Sequence, residues 1–119
     1  MKKYLFFLIL IIFFACNSIN KKEIIPGDIL PKERMIQVMV DIELIEATLV
    51  VKKIRVEKEK GKVIDYYNSA LQSHNISKEE FDRSFEYYTM HPEIFEQIYE
   101  EVIIELSKRQ AEEDGEKKR

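Results

Sequence analysis

Few side chains in this 119-residue chain could carry chemistry, because it holds one cysteine and two histidines. Nucleophilic catalysis needs a serine or cysteine with a base within hydrogen-bond reach. His74 and His91 are the available bases, and no nucleophile-elbow motif frames any serine. A metal site needs several ligands at close spacing, whereas the two histidines are seventeen residues apart. We therefore expect a protein that is not an enzyme and that holds no metal or cofactor.

An enzyme is the less favoured alternative, and it would need at least one histidine in a particular position. It requires a cleft that joins His74 or His91 to carboxylates. Without such a cleft, we expect His74 to lie on the surface at a helix end. We expect His91 to bond backbone groups at a helix junction.

The composition excludes several classes of protein. Lys and Arg number 19 while Asp and Glu number 22, so the net charge of −3 gives no basic excess for nucleic acid. Three glycines leave no Gly-rich phosphate loop, and a single cysteine excludes a disulfide scaffold. The length allows one domain, and we expect no nucleic-acid partner.

The N-terminal segment has the organisation of an export signal. Lys2 and Lys3 precede an unbroken apolar run over residues 5–15, which is shorter than the about 20 residues that a membrane-spanning helix needs. The run ends in the sequence Phe-Phe-Ala-Cys, where the only cysteine, Cys16, follows a small residue. This sequence resembles a lipobox, the cleavage site of bacterial lipoproteins, although Phe13 and Phe14 replace the usual leucine and small residue.

The lipobox resemblance implies cleavage before Cys16, diacylation of its thiol and acylation of the new amino group. Two or three acyl chains hold a protein stably on a membrane. The chain from Cys16 onward has 104 residues and a side-chain charge of −5, because Lys2 and Lys3 are lost. An ordinary cleaved signal with a leftover thiol and an uncleaved anchor are the alternatives.

Helical periodicity dominates the rest of the chain. Apolar residues recur every three or four positions from Met35 to Leu49, which predicts a first helix over residues 31–54. Pro31 suits the first helical position, and Asp28 is a candidate cap. The basic residues that follow, up to position 62, are interpreted as a solvated helix end in preference to a lipid-binding segment.

Three further helices are predicted after this basic connector. One covers residues 63–73, with Ile64, Tyr67 and Leu71 on one face, and should end at His74-Asn75. The sequence Ser-Lys-Glu-Glu at positions 77–80 is a capping box that opens the next helix. The dipeptide His-Pro at positions 91–92 then ends that helix and starts the last one, which we expect to end near residue 109.

These elements predict an all-α fold, a compact bundle of one long and about three shorter helices after an N-terminal lipoprotein signal. Residues 1–15 would be the signal peptide and residues 16–28 the lipidated cysteine and tether. Residues 29–109 would form the helical domain. Residues 110–119 would form a charged tail, which we expect to be disordered because it carries almost no apolar side chain.

Tyrosines cluster on the predicted short helices. Tyr is amphipathic and enriched where proteins meet partners. In the simpler interpretation, one Tyr of each pair packs in the core and the other covers its edge. In the alternative, the helices present a partner surface, whose candidate residues are Tyr66, Tyr67, Tyr87, Tyr88 and His91.

The order of several short motifs resembles a family of small Bacteroidota lipoproteins catalogued as a domain of unknown function. The motifs lie at residues 29–35, 40–47, 66–67, 76–81, 87–93 and 98–99. The resemblance implies an envelope location and a helical domain over about residues 29–108, and it supplies no catalytic residues. The helices over residues 76–106 are also similar to the helical substrate-holding parts of periplasmic peptidyl-prolyl isomerase chaperones.

We therefore expect a non-enzymatic lipoprotein of the cell envelope, held on the membrane by the lipid on Cys16. Its partner would be an envelope protein, which it would serve as an accessory or chaperone-like module. Asn17 and the absence of an acidic run after Cys16 favour the outer membrane, with the domain facing the periplasm. The alternative is a small-ligand or lipid-binding helical module, which requires a dry apolar cavity of a few hundred Å³.

If the tyrosines form the partner surface, Tyr88→Ala or Tyr66→Ala should reduce partner binding and leave the helical circular dichroism spectrum intact. Loss of the fold would instead assign these residues to the core.

Overall fold

A computed structural model of the chain describes residues 23–55 and 57–119. The predictions made for the signal peptide and for Cys16 lie outside the described residues.

The predicted all-α bundle is confirmed, because the described residues form four helices and no strand. Helix α1 packs against α2 and most extensively against α4, while α3 contacts both α4 and α2. The longest helix is α4, with 26 residues against 20 in α1. In chain order, the helices are α1 (Lys32–Val51), α2 (Lys60–Ser73), α3 (Lys78–Thr89) and α4 (Pro92–Lys117).

Helix α1 begins one residue later than predicted and ends three residues earlier. Pro31 is the residue before the helix, with an extended ψ of 148°, and no side chain caps the helix. The proposed cap is therefore wrong: the Asp28 carboxylate instead lies 3.5 Å from Arg83 Nε. At the other end, Lys53 takes a left-handed φ of 53°, and Ile54 N–H donates to the carbonyl of Leu49. This turn stops the helix before the basic connector.

Helix α2 ends where the sequence predicted. Asn75 takes a left-handed φ of 52°, a conformation that asparagine tolerates better than most residues. The backbone N–H of Ile76 donates to Leu71 O, and both side chains are buried. This hydrogen bond and the apolar contact form a Schellman motif, which turns the chain directly into α3.

The predicted starts of α3 and α4 are also confirmed. Ser77 Oγ accepts a hydrogen bond from the backbone N–H of Glu80 at 3.1 Å. Pro92 occupies the first turn of α4, with Glu93 beside it at the positive end of the helix dipole.

Helix α4 ends later than predicted. The sequence placed a charged, disordered tail over residues 110–119, whereas the helix continues to Lys117 with its last turns fully exposed. Glu, Gln, Ala and Lys dominate this stretch, and all four favour the helix in the absence of packing. The low apolar content of residues 110–119 therefore indicates a solvent-exposed helix end and not a disordered tail.

The core is organised around the backbone of Leu30, which is itself 1% exposed. Its N–H donates to Ser84 Oγ at 2.9 Å, and its carbonyl accepts from the Tyr88 hydroxyl at 2.6 Å. Ser84 and Tyr88 are both 0% exposed, and they lie four residues apart on the same face of α3. The structure therefore places Tyr88 in the core and corrects its prediction as a partner-surface residue. We call these two hydrogen bonds the Leu30 clamp.

The residues that lead into the domain, from Ile25 to Ile29, also pack against this core or form a turn beside it. Ile25 is half-buried against the core, and Ile29 N–H donates to Pro26 O in the predicted Pro-Gly turn. The packed domain thus includes the last residues of the predicted tether.

Removal of the Tyr88 hydroxyl should lower the free energy of unfolding. Tyr88→Phe keeps the ring but leaves the buried Leu30 carbonyl without its donor, at a cost of about 1–3 kcal/mol. Urea unfolding followed by circular dichroism measures this loss. Tyr87→Phe is the matched control, because no hydrogen bond of the Tyr87 hydroxyl is present in the described residues. Equal stability of the two variants would contradict the clamp.

Alkaline pH should destabilise the fold through the same residue. Burial, together with the nearby Tyr87 and Glu33, raises the pKa of Tyr88 from 10.0 to about 12. Between these two values the unfolded chain binds fewer protons than the folded chain, so the free energy of unfolding falls as the pH rises. The difference between the tyrosinate absorbance titrations of the wild type and Tyr88→Phe should therefore have its midpoint well above pH 10. A midpoint at the ordinary tyrosine pKa would show that Tyr88 is not buried.

Candidate functional site

An open apolar groove lies between α2 and α3, with α1 as its floor. Ile64, Tyr67 and Leu71 form the α2 wall, Phe81 contributes to the α3 wall, and Ile42 lies beneath them. The groove has a cavity volume of about 310 Å³. It thus falls in the size range of small-molecule and peptide-binding clefts.

The spacing of the α2 residues explains why this wall is apolar but incompletely covered. Steps of three and four residues place Ile64, Tyr67 and Leu71 on one face of the helix. Only Leu71 reaches the core, whereas Ile64 remains 56% exposed. Contiguous exposed apolar side chains commonly mark interaction sites on soluble domains.

An adjoining cavity of about 280 Å³ extends the groove along the α1 side toward α4. It shares Ile42, Tyr67 and Phe81 with the first cavity, so the two adjoin. Its additional lining residues are Met39, Glu43, Glu46, Phe85 and Tyr99. From here on, the two adjoining cavities together are called the groove, which draws side chains from all four helices.

Aromatic contacts hold the α3–α4 side of the groove together. The ring centroids of Phe81 and Phe85 are 5.9 Å apart, and Phe85 meets Phe95 edge-to-face at 5.7 Å. Phe95 in turn meets Tyr99 edge-to-face at 5.2 Å. Such contacts give this wall a fixed shape, because each ring restricts the rotation of the next.

The two ends of the groove differ in charge. At the α3 end, Lys78 forms an ion pair with Asp82, and this hydrogen bond raises the pKa of Lys78. At the α1 end, the Tyr67 hydroxyl donates to Glu46 Oε1 at 3.0 Å. Burial raises the pKa of Tyr67, and so do the hydrogen bond to Glu46 and the charges of Glu46 and Glu43. Tyr67 therefore lies in a negative field.

The structure does not bring the predicted partner-surface residues together. Tyr67 lines the groove, whereas Tyr66 lies outside it, where its hydroxyl accepts from Lys52 Nζ at 3.2 Å. Tyr88 is in the core, and the half-buried Tyr87 packs edge-to-face against it at 5.4 Å. Of the tyrosines proposed as a partner surface, only Tyr67 therefore belongs to the groove.

His91 bonds backbone at the helix junction, as the sequence predicted. Its Nδ1 lies 2.6 Å from Tyr87 O, and its ring stacks on the Tyr87 ring with centroids 4.2 Å apart. Its other neighbours are at the chain entry, where Glu23 lies beside Met90 and Pro92. His91 therefore stabilises the α3–α4 turn next to the tether.

His74 is not the plain surface residue that the sequence predicted. Its Nε2 lies 2.7 Å from Asp41 Oδ2, and Arg109 Nη1 donates to the other oxygen of Asp41 at 3.1 Å. The guanidinium of Arg34 also donates to the backbone carbonyl of His74. This network, the Asp41 network, connects α1 with the end of α2 and with α4.

The Asp41 network meets one demand of the enzyme alternative, since it joins a histidine to a carboxylate. However, two serines that could act as nucleophiles, Ser73 and Ser84, donate to backbone carbonyls. The Ser73 hydroxyl donates to Ala70 O at 2.7 Å, and the Ser84 hydroxyl donates to Glu80 O at 2.7 Å. The interactions of Asp41 are those of a connection between helices, because each of its oxygens binds a different element.

Neither a cluster of metal ligands nor a membrane-spanning helix occurs in the described part of the chain. Within residues 23–55 and 57–119, no group of three or more His, Cys, Asp or Glu side chains could hold a metal ion. No helix in the same ranges has the length and apolarity needed to cross a membrane.

The sequence offered an apolar cavity only as an alternative and did not locate it, because its residues have the same periodicity as core residues. Ile64 shares an apolar face with Tyr67 and Leu71, yet it remains 56% exposed. The sequence signal for the groove is an excess of apolar side chains: α2 and α3 carry them on faces that one neighbouring helix cannot cover.

Comparison with known proteins identifies a family. The sequence profile described as "Domain of unknown function (DUF4296)" matches residues 26–112, which is most of the chain. The resemblance to a family catalogued as a domain of unknown function is thereby confirmed. No curated protein and no solved structure matches the chain.

Loss of Asp41 should destabilise the helix packing. Asp41→Ala removes the partner of both His74 and Arg109, and we expect a loss of about 1 kcal/mol because all three groups are only partly buried. Urea unfolding of Asp41→Ala, His74→Ala and the double variant measures the coupling. Asp82→Ala, which removes an exposed ion pair, should leave stability nearly unchanged. Additive effects of Asp41→Ala and His74→Ala would contradict a shared network.

Proposed function

The chain belongs to the DUF4296 family, and we propose that it is a non-enzymatic cell-envelope lipoprotein whose groove binds a segment of another protein. The family match itself names no activity. The proposal rests on the groove for binding and on the N-terminal sequence for location.

The observation that carries the binding proposal is the composition of the groove walls. Four helices contribute apolar side chains to its two adjoining cavities, which include the exposed rings of Phe85 and Tyr99. Aromatic residues in a preformed cleft are the usual energetic centres of protein interfaces. The groove is open to solvent along its length, which suits a peptide segment entering from the side.

The N-terminal sequence supports the location. Cys16 directly follows an apolar run of signal-peptide length, and we propose that it carries the lipid anchor of a small Bacteroidota lipoprotein. We place the protein on the outer membrane, with the domain facing the periplasm. Six residues separate Cys16 from Glu23, which lies beside the α3–α4 junction, so this end of the domain would face the membrane.

A small apolar ligand or lipid is the second candidate for the groove. The volume of its first cavity, about 310 Å³, meets the size that such a module requires. A protein segment fits better because the cavity is an open cleft bounded by charged residues at both ends, whereas small apolar ligands are usually enclosed.

Polar substitution in the groove should weaken partner binding without unfolding the domain. Ile64→Ser changes a side chain that is 56% exposed, so its effect on stability is small, while an apolar contact with the partner is lost. In-cell crosslinking followed by affinity capture and mass spectrometry should recover a stoichiometric partner with the wild type. We expect recovery to fall about tenfold with Ile64→Ser.

Ile104→Ser is the matched control for this capture. Ile104 is 49% exposed on α4 and does not line the groove. The partner should therefore be retained by this variant. Equal capture by the wild type and both variants would assign the partner to another surface, and capture of no partner at all would favour the small-ligand alternative.

Replacement of Cys16 should release the protein from the membrane. Cys16→Ala removes the proposed acylation site, so metabolic labelling with a palmitate analogue should disappear and the protein should leave the membrane fraction. Retained labelling would show that the lipid is attached elsewhere, and retention in the membrane fraction without labelling would show that the apolar run remains as an anchor.

A further inference from the structure

The α1 end of the groove carries negative charge that the described chain does not neutralise. Glu43 and Glu46 lie three residues apart on α1 and both line the cavity. None of the ion pairs within residues 23–55 and 57–119 includes either carboxylate. At the opposite end, Lys78 and Asp82 pair with each other, so that end is balanced.

The surroundings of the two carboxylates strengthen their attraction for a cation. Met39, Ile42, Phe85 and Tyr99 line the same cavity, and apolar walls lower the local dielectric constant. Glu43 is half-buried and Glu46 is exposed, so this effect is greater at Glu43. The raised pKa of Tyr67, caused partly by Glu46 and Glu43, is a second sign of the same field.

We infer that the groove recognises an apolar peptide segment that carries a lysine or arginine beside its apolar anchor residues, with the cation placed against Glu43 and Glu46. This inference rests on the proposed function of the groove and names the chemistry of its partner. The alkyl stem of either residue can pack along Phe85 and Tyr99 while its charged head reaches the carboxylates.

The same charge discriminates between possible occupants. An acidic segment would be repelled by the two carboxylates, and so would the anionic head group of a fatty acid. An uncharged apolar segment would fill the groove but would leave the charges of Glu43 and Glu46 without a cationic partner. A basic apolar segment satisfies both the apolar walls and the carboxylates.

Selection from a display library of short random peptides tests the inference. The target is the full-length protein reconstituted in phosphatidylcholine nanodiscs. Peptides that bind empty nanodiscs are removed from the library beforehand. Peptides whose binding is lost with Ile64→Ser are classed as groove-dependent. Among these we expect apolar sequences with enriched Lys and Arg and depleted Asp and Glu.

Charge removal on the protein provides the second readout. For a selected peptide, Glu43→Gln/Glu46→Gln should weaken binding about tenfold at low salt. Glu112→Gln/Glu113→Gln removes the same charge from the exposed end of α4 and should leave affinity unchanged.

The outcomes separate this inference from the function on which it rests. Groove-dependent peptides without basic enrichment, or affinities unaffected by Glu43→Gln/Glu46→Gln, would overturn the inference and leave the groove as a peptide site. A selection without any groove-dependent peptide would overturn both.

Discussion

The groove depends on the hydrogen bonds that side chains of α3 make to the backbone of Leu30. Ser84 and Tyr88 satisfy both polar groups of one buried peptide residue, and each lies more than fifty residues away along the chain. Because an unsatisfied buried backbone group costs about 1–3 kcal/mol, α3 cannot move from the start of α1 without a substantial penalty. Helix α3 also carries Phe81 and Phe85, so the Leu30 clamp fixes one wall of the groove.

The opposite wall is fixed by different contacts. The turn at Asn75 sets the end of α2, and the Asp41 network binds His74 to α1 and α4. Different contacts therefore hold the two walls around the floor at Ile42. A cleft formed in this way exists before its partner arrives, which reduces the ordering cost of binding. Within the described residues, its apolar side chains remain exposed because the four helices do not cover them.

Local signals in the sequence were enough to predict the helices. They did not predict the features that depend on contacts between residues distant along the chain. The capping box at Ser77, the left-handed Asn75 and the His91-Pro92 junction each act within a few residues, so their predictions were confirmed. Tyr87 and Tyr88 are adjacent residues of one type, and the hydroxyl that reaches the distant Leu30 carbonyl is that of Tyr88. The groove was hidden for a related reason: Ile64 has the spacing of a core residue, and its exposure depends on how far two helices diverge.

Site-specific photo-crosslinking in living cells tests most directly whether the groove is the partner site. A photoreactive phenylalanine analogue replaces either Phe85, inside the groove, or Tyr66, which lies on α2 outside it. Both positions are aromatic and both are at least partly exposed, so each accepts the probe with little change in stability. We expect a discrete adduct of defined mass from position 85 and none from position 66. An adduct from position 66 alone, or equal yields from both positions, would contradict the assignment of binding to the groove.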